Sequence, residues 1–289
     1  MSLLGLTIIG ESINDSIPST KKLFDAGDID GILELARTQD QGGAAYIDVN
    51  VGARSPQFIA DIVRKIQGVT AKPLSIDTPD VATAQAALEA YDLDRAAGKK
   101  PILNSISPLR LPMFDLYKLR PFMPILLVSE NVVGGRSQPC RTAEATYAAA
   151  KDLIGVFRQR CPGVTNADCI IDPGIVPIGS DSESNLHRLI CALGLIHKDP
   201  DFAGAHVSVG LSNFTVMLPA KRADGSPLKG PLESALLTIA MPLGLDMIIG
   251  SVKRKYELLE SNHPALVCLE DCLKLKGFDV LMRLREFYI

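Results

Sequence analysis

A chain of 289 residues, 47% hydrophobic and 22% charged, has ordinary globular composition, which excludes extensive disorder and leaves room for one large domain or two modest ones. Its 30 basic and 33 acidic side chains give a net charge of −3, which argues against a nucleic-acid or anionic-membrane partner. No apolar run approaches the ~20 residues that span a bilayer. The opening Met1-Ser2-Leu3-Leu4-Gly5 lacks the form of a secretion signal, and six scattered cysteines fit a reducing compartment, so a cytoplasmic protein is expected.

Short runs rich in Ile, Val and Leu recur at 6–10, 46–50, 73–77, 101–104, 124–128, 169–172, 206–210 and 247–250. Their length and unbroken apolarity suit strands buried on both faces. Helix-like segments separate them. Residues 28–41 place Ile29, Ile32, Leu33 and Ala36 on one helical face. The segment 55–67 opens with Ser55-Pro56, a cap followed by proline at the first helical position, and Thr78-Pro79 opens the next in the same way. Segments 142–160, 182–196 and 232–243 follow, and one or two closing helices are expected from about 253. Strand–helix units repeated eight times predict a (β/α)8 TIM barrel in a single domain spanning 1–289. The rival, a doubly wound open sheet, usually carries a Gly-rich turn after its first strand. Here that turn reads Gly10-Glu11-Ser12-Ile13-Asn14. The polar stretch 220–231 is the most loop-like and follows the seventh run, where long barrel loops are often functional.

The strand ends carry the chemistry. Glu11 and Asn14 end the first run, Asp48 and Asn50 lie in the second, and Asp77 ends the third. Asn104 and Ser105 end the fourth, Ser129, Glu130 and Asn131 the fifth, Asp172 the sixth, and Ser212 and Asn213 the seventh. In a barrel these ends open into one mouth. A mouth of carboxylates and amides, without histidine, suits a neutral heterocycle rich in N–H donors, because a carboxylate accepts paired N–H bonds and an amide both donates and accepts. Phosphate recognition would call for arginine, lysine or Gly-rich amides instead. An Asp or Asn after a strand is also a common helix cap, and Asp77-Thr78-Pro79 fits that use. Five such residues on different strands are harder to explain as caps.

Other candidates read as structural. Cys268 and Cys272 share a helical face near His263, short of the three or four ligands a metal site needs, and no protein-bound metal is expected. His187, His197 and His206 stand alone, and Cys140 has no accompanying His–Asp arrangement. Lys221 and Arg222 in the seventh loop suit either an acidic substrate tail or plain surface charge.

Six motifs in order, Gly10-Glu11-Ser12-Ile13-Asn14, Asp48-Val49-Asn50-Val51-Gly52, Ser75-Ile76-Asp77-Thr78, Asn104-Ser105, Ile171-Asp172-Pro173 and Gly210-Leu211-Ser212-Asn213, resemble the pterin-binding barrels, specifically the methyltetrahydrofolate:corrinoid methyltransferases. The resemblance covers nearly the whole chain. It implies that Asp77, Asn104 and Asp172 hold the amino-pyrimidine edge of a pterin. It also implies that Asn213 bonds the N5 region, and that Glu11, Gly210 and Ser212 lie near the ring. Ser12 departs from the arginine that relatives often carry.

The activity implied is methyl transfer between a corrinoid and N5 of tetrahydrofolate, forming 5-methyltetrahydrofolate in a demethylation pathway. Tetrahydrofolate would be the substrate. Cobalamin would come on a separate, transiently docking corrinoid protein, since Asp-x-His-x-x-Gly does not occur in the sequence. The resemblance also implies a homodimer. Related dihydropteroate synthases carry basic residues where this chain has Asn213 and Phe214, which leaves synthase activity as the alternative. A non-catalytic pterin-binding subunit is the third possibility.

Overall fold

The computed structural model describes residues 3–289; Met1 and Ser2, at the head of the stretch read for a secretion signal, lie outside them. The strands are β1 (Thr7–Asn14), β2 (Tyr46–Asn50), β3 (Leu74–Asp77), β4 (Ile102–Ile106), β5 (Met123–Leu127), β6 (Glu130–Val133), β7 (Arg136–Pro139), β8 (Ile170–Asp172), β9 (His206–Gly210) and β10 (Met247–Gly250). Eight of them close into a parallel barrel in the order β1-β2-β3-β4-β5-β8-β9-β10, with β10 pairing back onto β1 through Thr7↔Met247 to Gly10↔Gly250. The (β/α)8 expectation holds, because each barrel strand is short, apolar and followed by a segment that packs back on the outside, helical after every strand but β4, which is followed by the 3-10 segment Leu111–Lys118.

Those helices are α1 (Pro18–Ala26), α2 (Ile29–Gln41), α3 (Pro56–Ile66), α4 (Val81–Ala90), α5 (Ala143–Arg160), α6 (Asn185–Lys198), α7 (Leu211–Phe214), α8 (Lys229–Ala240), α9 (Pro264–Lys274) and α10 (Phe278–Tyr288). Asp28 caps α2 by accepting from the Gly31 amide at 2.9 Å, and Ser55 caps α3 ahead of Pro56, as the sequence pattern requires. Among the described residues no helix is long and apolar enough to cross a membrane. The core has two layers. Ile9, Ile102, Ile125, Ile170 and Met247 fill the inside of the barrel. A larger set, including Ile47, Ile76, Leu103, Ile171 and Leu236, seals the strands against the helices.

Four local expectations need correction. The first strand does not stop at Gly10. Its register shifts between Gly10 and Ile13 and pairing resumes with Ile13↔Val49 and Asn14↔Asn50, so Glu11 and Asn14 belong to the strand itself. The fourth helix starts at Val81 rather than Thr78. Its cap is Asp80, which accepts from the Thr83 amide at 2.7 Å and leaves Asp77 free of capping. Glu130 and Asn131 do not end a barrel strand. They begin an antiparallel hairpin, β6–β7, in which Glu130 accepts from Ser137 Oγ at 2.8 Å. Arg222 is tied to α10, donating to the Phe287 carbonyl at 2.9 Å with its guanidinium 4.6 Å from the centre of the Phe287 ring, so it braces the C-terminal helix.

The bend in β1 depends on Gly10. A Cβ there would come 2.5 Å from Gln39 Oε1 and 3.3 Å from Ala44 Cβ. Gln39 is buried, and the same oxygen accepts from the Ser12 amide at 2.9 Å, so it cannot retreat without breaking the bond that shapes the turn. We expect Gly10→Ala to destabilise the protein by ~1–3 kcal/mol through overpacking, read by urea denaturation. An unchanged midpoint would show that α2 yields easily.

Candidate functional site

The C-terminal ends of the barrel strands enclose a cavity of 560 Å³. All seven residues singled out from the sequence, Glu11, Asp77, Asn104, Asp172, Gly210, Ser212 and Asn213, line it. Asn14, Asp48, Ser105 and Ser129 line it too, whereas Asn50, Glu130 and Asn131 are not among its walls. Among the described residues no lysine, arginine or histidine lines the cavity, and no group of three His, Cys, Asp or Glu side chains is disposed to hold a metal ion.

The floor is a linked set of carboxyls and amides. Asn50 donates to Asp77 Oδ2 at 2.9 Å, which fixes the Asp77 carboxyl and, among the described residues, leaves Oδ1 without a hydrogen-bond partner. Ser75 donates to Asp48 Oδ1 at 2.6 Å from the neighbouring strand, and Asn104 Nδ2 approaches the same oxygen at 3.4 Å. Burial, and then the neighbouring Asp77 charge, hold the Asp48 carboxyl well above its usual range. Asp77 is also raised, by burial first, against the Asn50 bond and the charge of Arg110. Asp48 sat in a strand motif read from the sequence, yet its depth was not visible there. A β-strand alternates its faces, and only the closed barrel decides which face is the interior.

Asp172 ends β8. Its Oδ1 accepts from the Gly174 amide at 2.7 Å, and burial pushes its carboxyl up to about 6 against that bond and the charge of Arg188. Arg188, on α6, is the supporting residue that the sequence did not reveal. It is buried, and its guanidinium donates to the carbonyls of Pro173 and Gly174 at 2.7 and 2.8 Å and to Thr146 Oγ1 at 3.1 Å. It thereby pins the turn that aims Asp172. An arginine on an amphipathic helix carries no sequence mark that distinguishes this use from a surface charge.

The rim above β9 has a different character. Gly210 leads into α7, a single turn. A Cβ at Gly210 would stand 2.8 Å from Asn213 Nδ2, so the missing side chain makes room for the Asn213 amide. That amide is exposed to solvent and, among the described residues, has no hydrogen-bond partner. Ser212 donates to Glu11 Oε1 at 2.5 Å, joining α7 to β1 across the closing seam of the barrel. Burial raises the Glu11 carboxyl, opposed by the Ser212 bond and the charge of Arg254. The cavity therefore offers unpartnered acceptor oxygens in its depth and an unengaged amide at its lip. It can hold a flat, donor-rich ring and leave one edge of that ring accessible.

His263 caps α9 by accepting from the Ala265 amide at 3.2 Å, and Cys268 and Cys272 are buried in the same helix, in keeping with a structural use. His206 pairs with Asp246 at 2.6 Å where β9 begins.

Residues 13–250 match the family model described as "Pterin binding enzyme". The chain is 26% identical over 257 residues to the methylcorrinoid:tetrahydrofolate methyltransferase of Eubacterium limosum, with 84% of each chain covered. Its fold resembles the 7,8-dihydropteroate synthase of Vibrio fischeri (TM-score 0.58, 16% identity, 96% of this chain and 97% of that one). It also resembles the dihydropteroate synthase of Xanthomonas albilineans solved with 7,8-dihydropteroate (TM-score 0.56, 16% identity, 95% and 94%).

The raised Asp172 carboxyl makes a stability prediction. A free aspartate titrates at 3.8 and the folded one at about 6, so the folded state binds the proton more tightly. The cost of holding the carboxylate is absent below the unfolded value, grows as pH rises between the two, and is complete above about 6. Asp172→Asn, which keeps an acceptor for the Gly174 amide, should therefore stabilise the ligand-free protein at pH 8 by up to ~3 kcal/mol, with the gain vanishing near pH 4. Denaturant titrations at the two pH values measure it; an equal effect at both would show that burial is not the cause.

Proposed function

From the membership of this chain in the pterin binding enzyme family, we propose that it is a methyltransferase moving a methyl group between a corrinoid carried by a partner protein and N5 of tetrahydrofolate. The observation that carries this reading is the division of the cavity into an acidic and amidic floor without cations and a lone amide at the rim. The free oxygens of Asp77 and Asp172, with the Asn104 amide, match the amino-pyrimidine edge of a pterin, where a carboxylate can accept two parallel N–H bonds. Glu11, Gly210 and Ser212 would flank the ring. The name of the Eubacterium limosum relative points to the same pair of substrates.

The chemistry asks little of the protein beyond placement. In the direction that forms 5-methyltetrahydrofolate, folate N5 attacks the methyl carbon in line. The methyl–cobalt bond breaks with its electron pair left on the metal, and N5 gives up its proton to solvent. No protein nucleophile takes part. Asn213 would accept a hydrogen bond from N5–H while positive charge develops on that nitrogen, and it can turn to donate when N5 is neutral. A bond that tightens as charge develops lowers the barrier more than it strengthens substrate binding. The buried floor fixes the ring so that N5 is presented towards the open side. The partner protein would approach there, and the assembly would be transient. A homodimer and a cytoplasmic location belong to the same proposal.

Dihydropteroate synthase activity is the competing reading, and the lining weighs against it. Stabilising a departing diphosphate calls for cations or convergent amides, and none of the cavity residues supplies a cation. Incubation with the pterin diphosphate and p-aminobenzoate should yield no product. Anaerobic mixing with tetrahydrofolate and methylcobalamin should yield cob(I)alamin, followed spectroscopically. Asn213→Ala should slow that reaction about 10²–10³-fold, the usual loss for one such bond, in a protein that remains folded. Undiminished methyl transfer in the variant would refute the role given to Asn213.

A further inference from the structure

The mouth depends on a side chain outside it. Helix α7, Leu211–Phe214, is only 4 residues long, too short to hold its own conformation, since one turn fixes several dihedrals for a single backbone bond. Its bearing must be set by what grips it. Ser212 is bound to Glu11 on the cavity side. On the far side the residue that follows it, the C-cap Thr215, is buried and donates through Oγ1 to Glu233 Oε1 at 2.5 Å. Glu233 projects from α8 with 0% exposure, and Arg254, beyond β10, reaches the same oxygen at 2.8 Å. Oε2 of Glu233 has no partner among the described residues, so one oxygen carries the whole connection. Arg254 also acts on the Glu11 carboxyl, which places both grips on α7 under one cation.

A buried carboxyl with an unpartnered oxygen is a costly way to fill a helix face, and packing alone would favour an apolar residue there. We propose that Glu233 is a positioning residue: through the Thr215 hydroxyl it fixes the bearing of α7, and with it the direction in which the Asn213 amide faces the cavity. This rests on the role of Asn213 proposed above. Neither Glu233 nor Thr215 lines the cavity, so the clamp acts only through the turn it holds.

The test is a double-mutant cycle in the full chain, read by anaerobic methyl transfer and by tetrahydrofolate affinity. Thr215→Val removes the hydroxyl and should lower kcat about tenfold while leaving the folate Kd within about twofold; Thr215→Ser should restore the rate. Because the loss is exerted through Asn213, adding Thr215→Val to Asn213→Ala should slow the enzyme no further, since residues acting as one unit are not additive. If Thr215→Val does not accumulate as folded protein, Glu233→Asp, one methylene shorter, replaces it in the same cycle. A wild-type kcat in the single variant, or losses that multiply in the double variant, overturns the positioning role and leaves the methyltransferase reading intact. A wild-type protein that binds folate but moves no methyl group overturns both.

Discussion

Several carboxyl groups are kept out of water at one end of the barrel, and the rest of the structure is arranged around that constraint. Glu11, Asp48, Asp77 and Asp172 all lie in one cavity, and burial is the largest influence on each, in every case against ionisation. A folded chain tolerates such groups only where neighbours supply hydrogen bonds. Each carboxyl here has one: Ser212 for Glu11, Ser75 for Asp48, Asn50 for Asp77 and the Gly174 amide for Asp172. The provision is partial, which is the informative part. Among the described residues, one oxygen of Asp77 and one of Asp172 remain without a donor. A ring carrying N–H groups would supply what the fold withholds, and the apolar interior layer of Ile9, Ile102, Ile125, Ile170 and Met247 closes the barrel beneath.

The same logic explains why the supporting residues come from other elements than the strand they support. Strand ends can present a side chain, but they cannot hold it against rotation. Arg188 secures the turn after β8 from α6, and Asn50 secures Asp77 from the adjacent strand. Second contacts of this kind hold a binding group in a fixed orientation before the ligand arrives.

The barrel itself was readable because its signal is redundant. Eight apolar runs, most of them separated by a helix-like segment, all point to the same strand–helix repeat, and capping pairs such as Asp28 and Ser55-Pro56 mark helix starts locally. The strand-end acids were readable for a related reason: ionisable residues at the ends of buried apolar runs are out of place unless they face a common mouth. What escaped was set by geometry that local sequence does not encode. The bulge in β1 depends on a long-range bond between Ser12 and Gln39. The hairpin β6–β7 carries an ordinary polar sequence, and Thr78 and Asp80 are both residues that can cap a helix, of which Asp80 takes the Thr83 amide while the Thr78 hydroxyl accepts from the Asp80 amide. Arg188 and Glu233 are separated by many residues from the groups they serve, and nothing in their helices sets them apart from surface charges.

The contrast between floor and rim bears on mechanism. Recognition groups are best held deep and rigid, because low polarity strengthens each hydrogen bond they make. A group that meets the reacting atom of a bimolecular transfer has an opposing requirement, since the second reactant must reach that atom from outside. Asn213 is exposed, unpartnered and mounted on a single helical turn, while Val216 and Met217 beside it are 57% and 64% exposed. On the proposed reading the amide stands where the ring edge meets the partner surface, and it cannot gain rigidity by burial. Its orientation has to be supplied from behind, through Ser212 and Thr215, by the half-buried Glu11 and the buried Glu233. The cost of desolvating Glu11 and Glu233 is thus the counterpart of leaving Asn213 open.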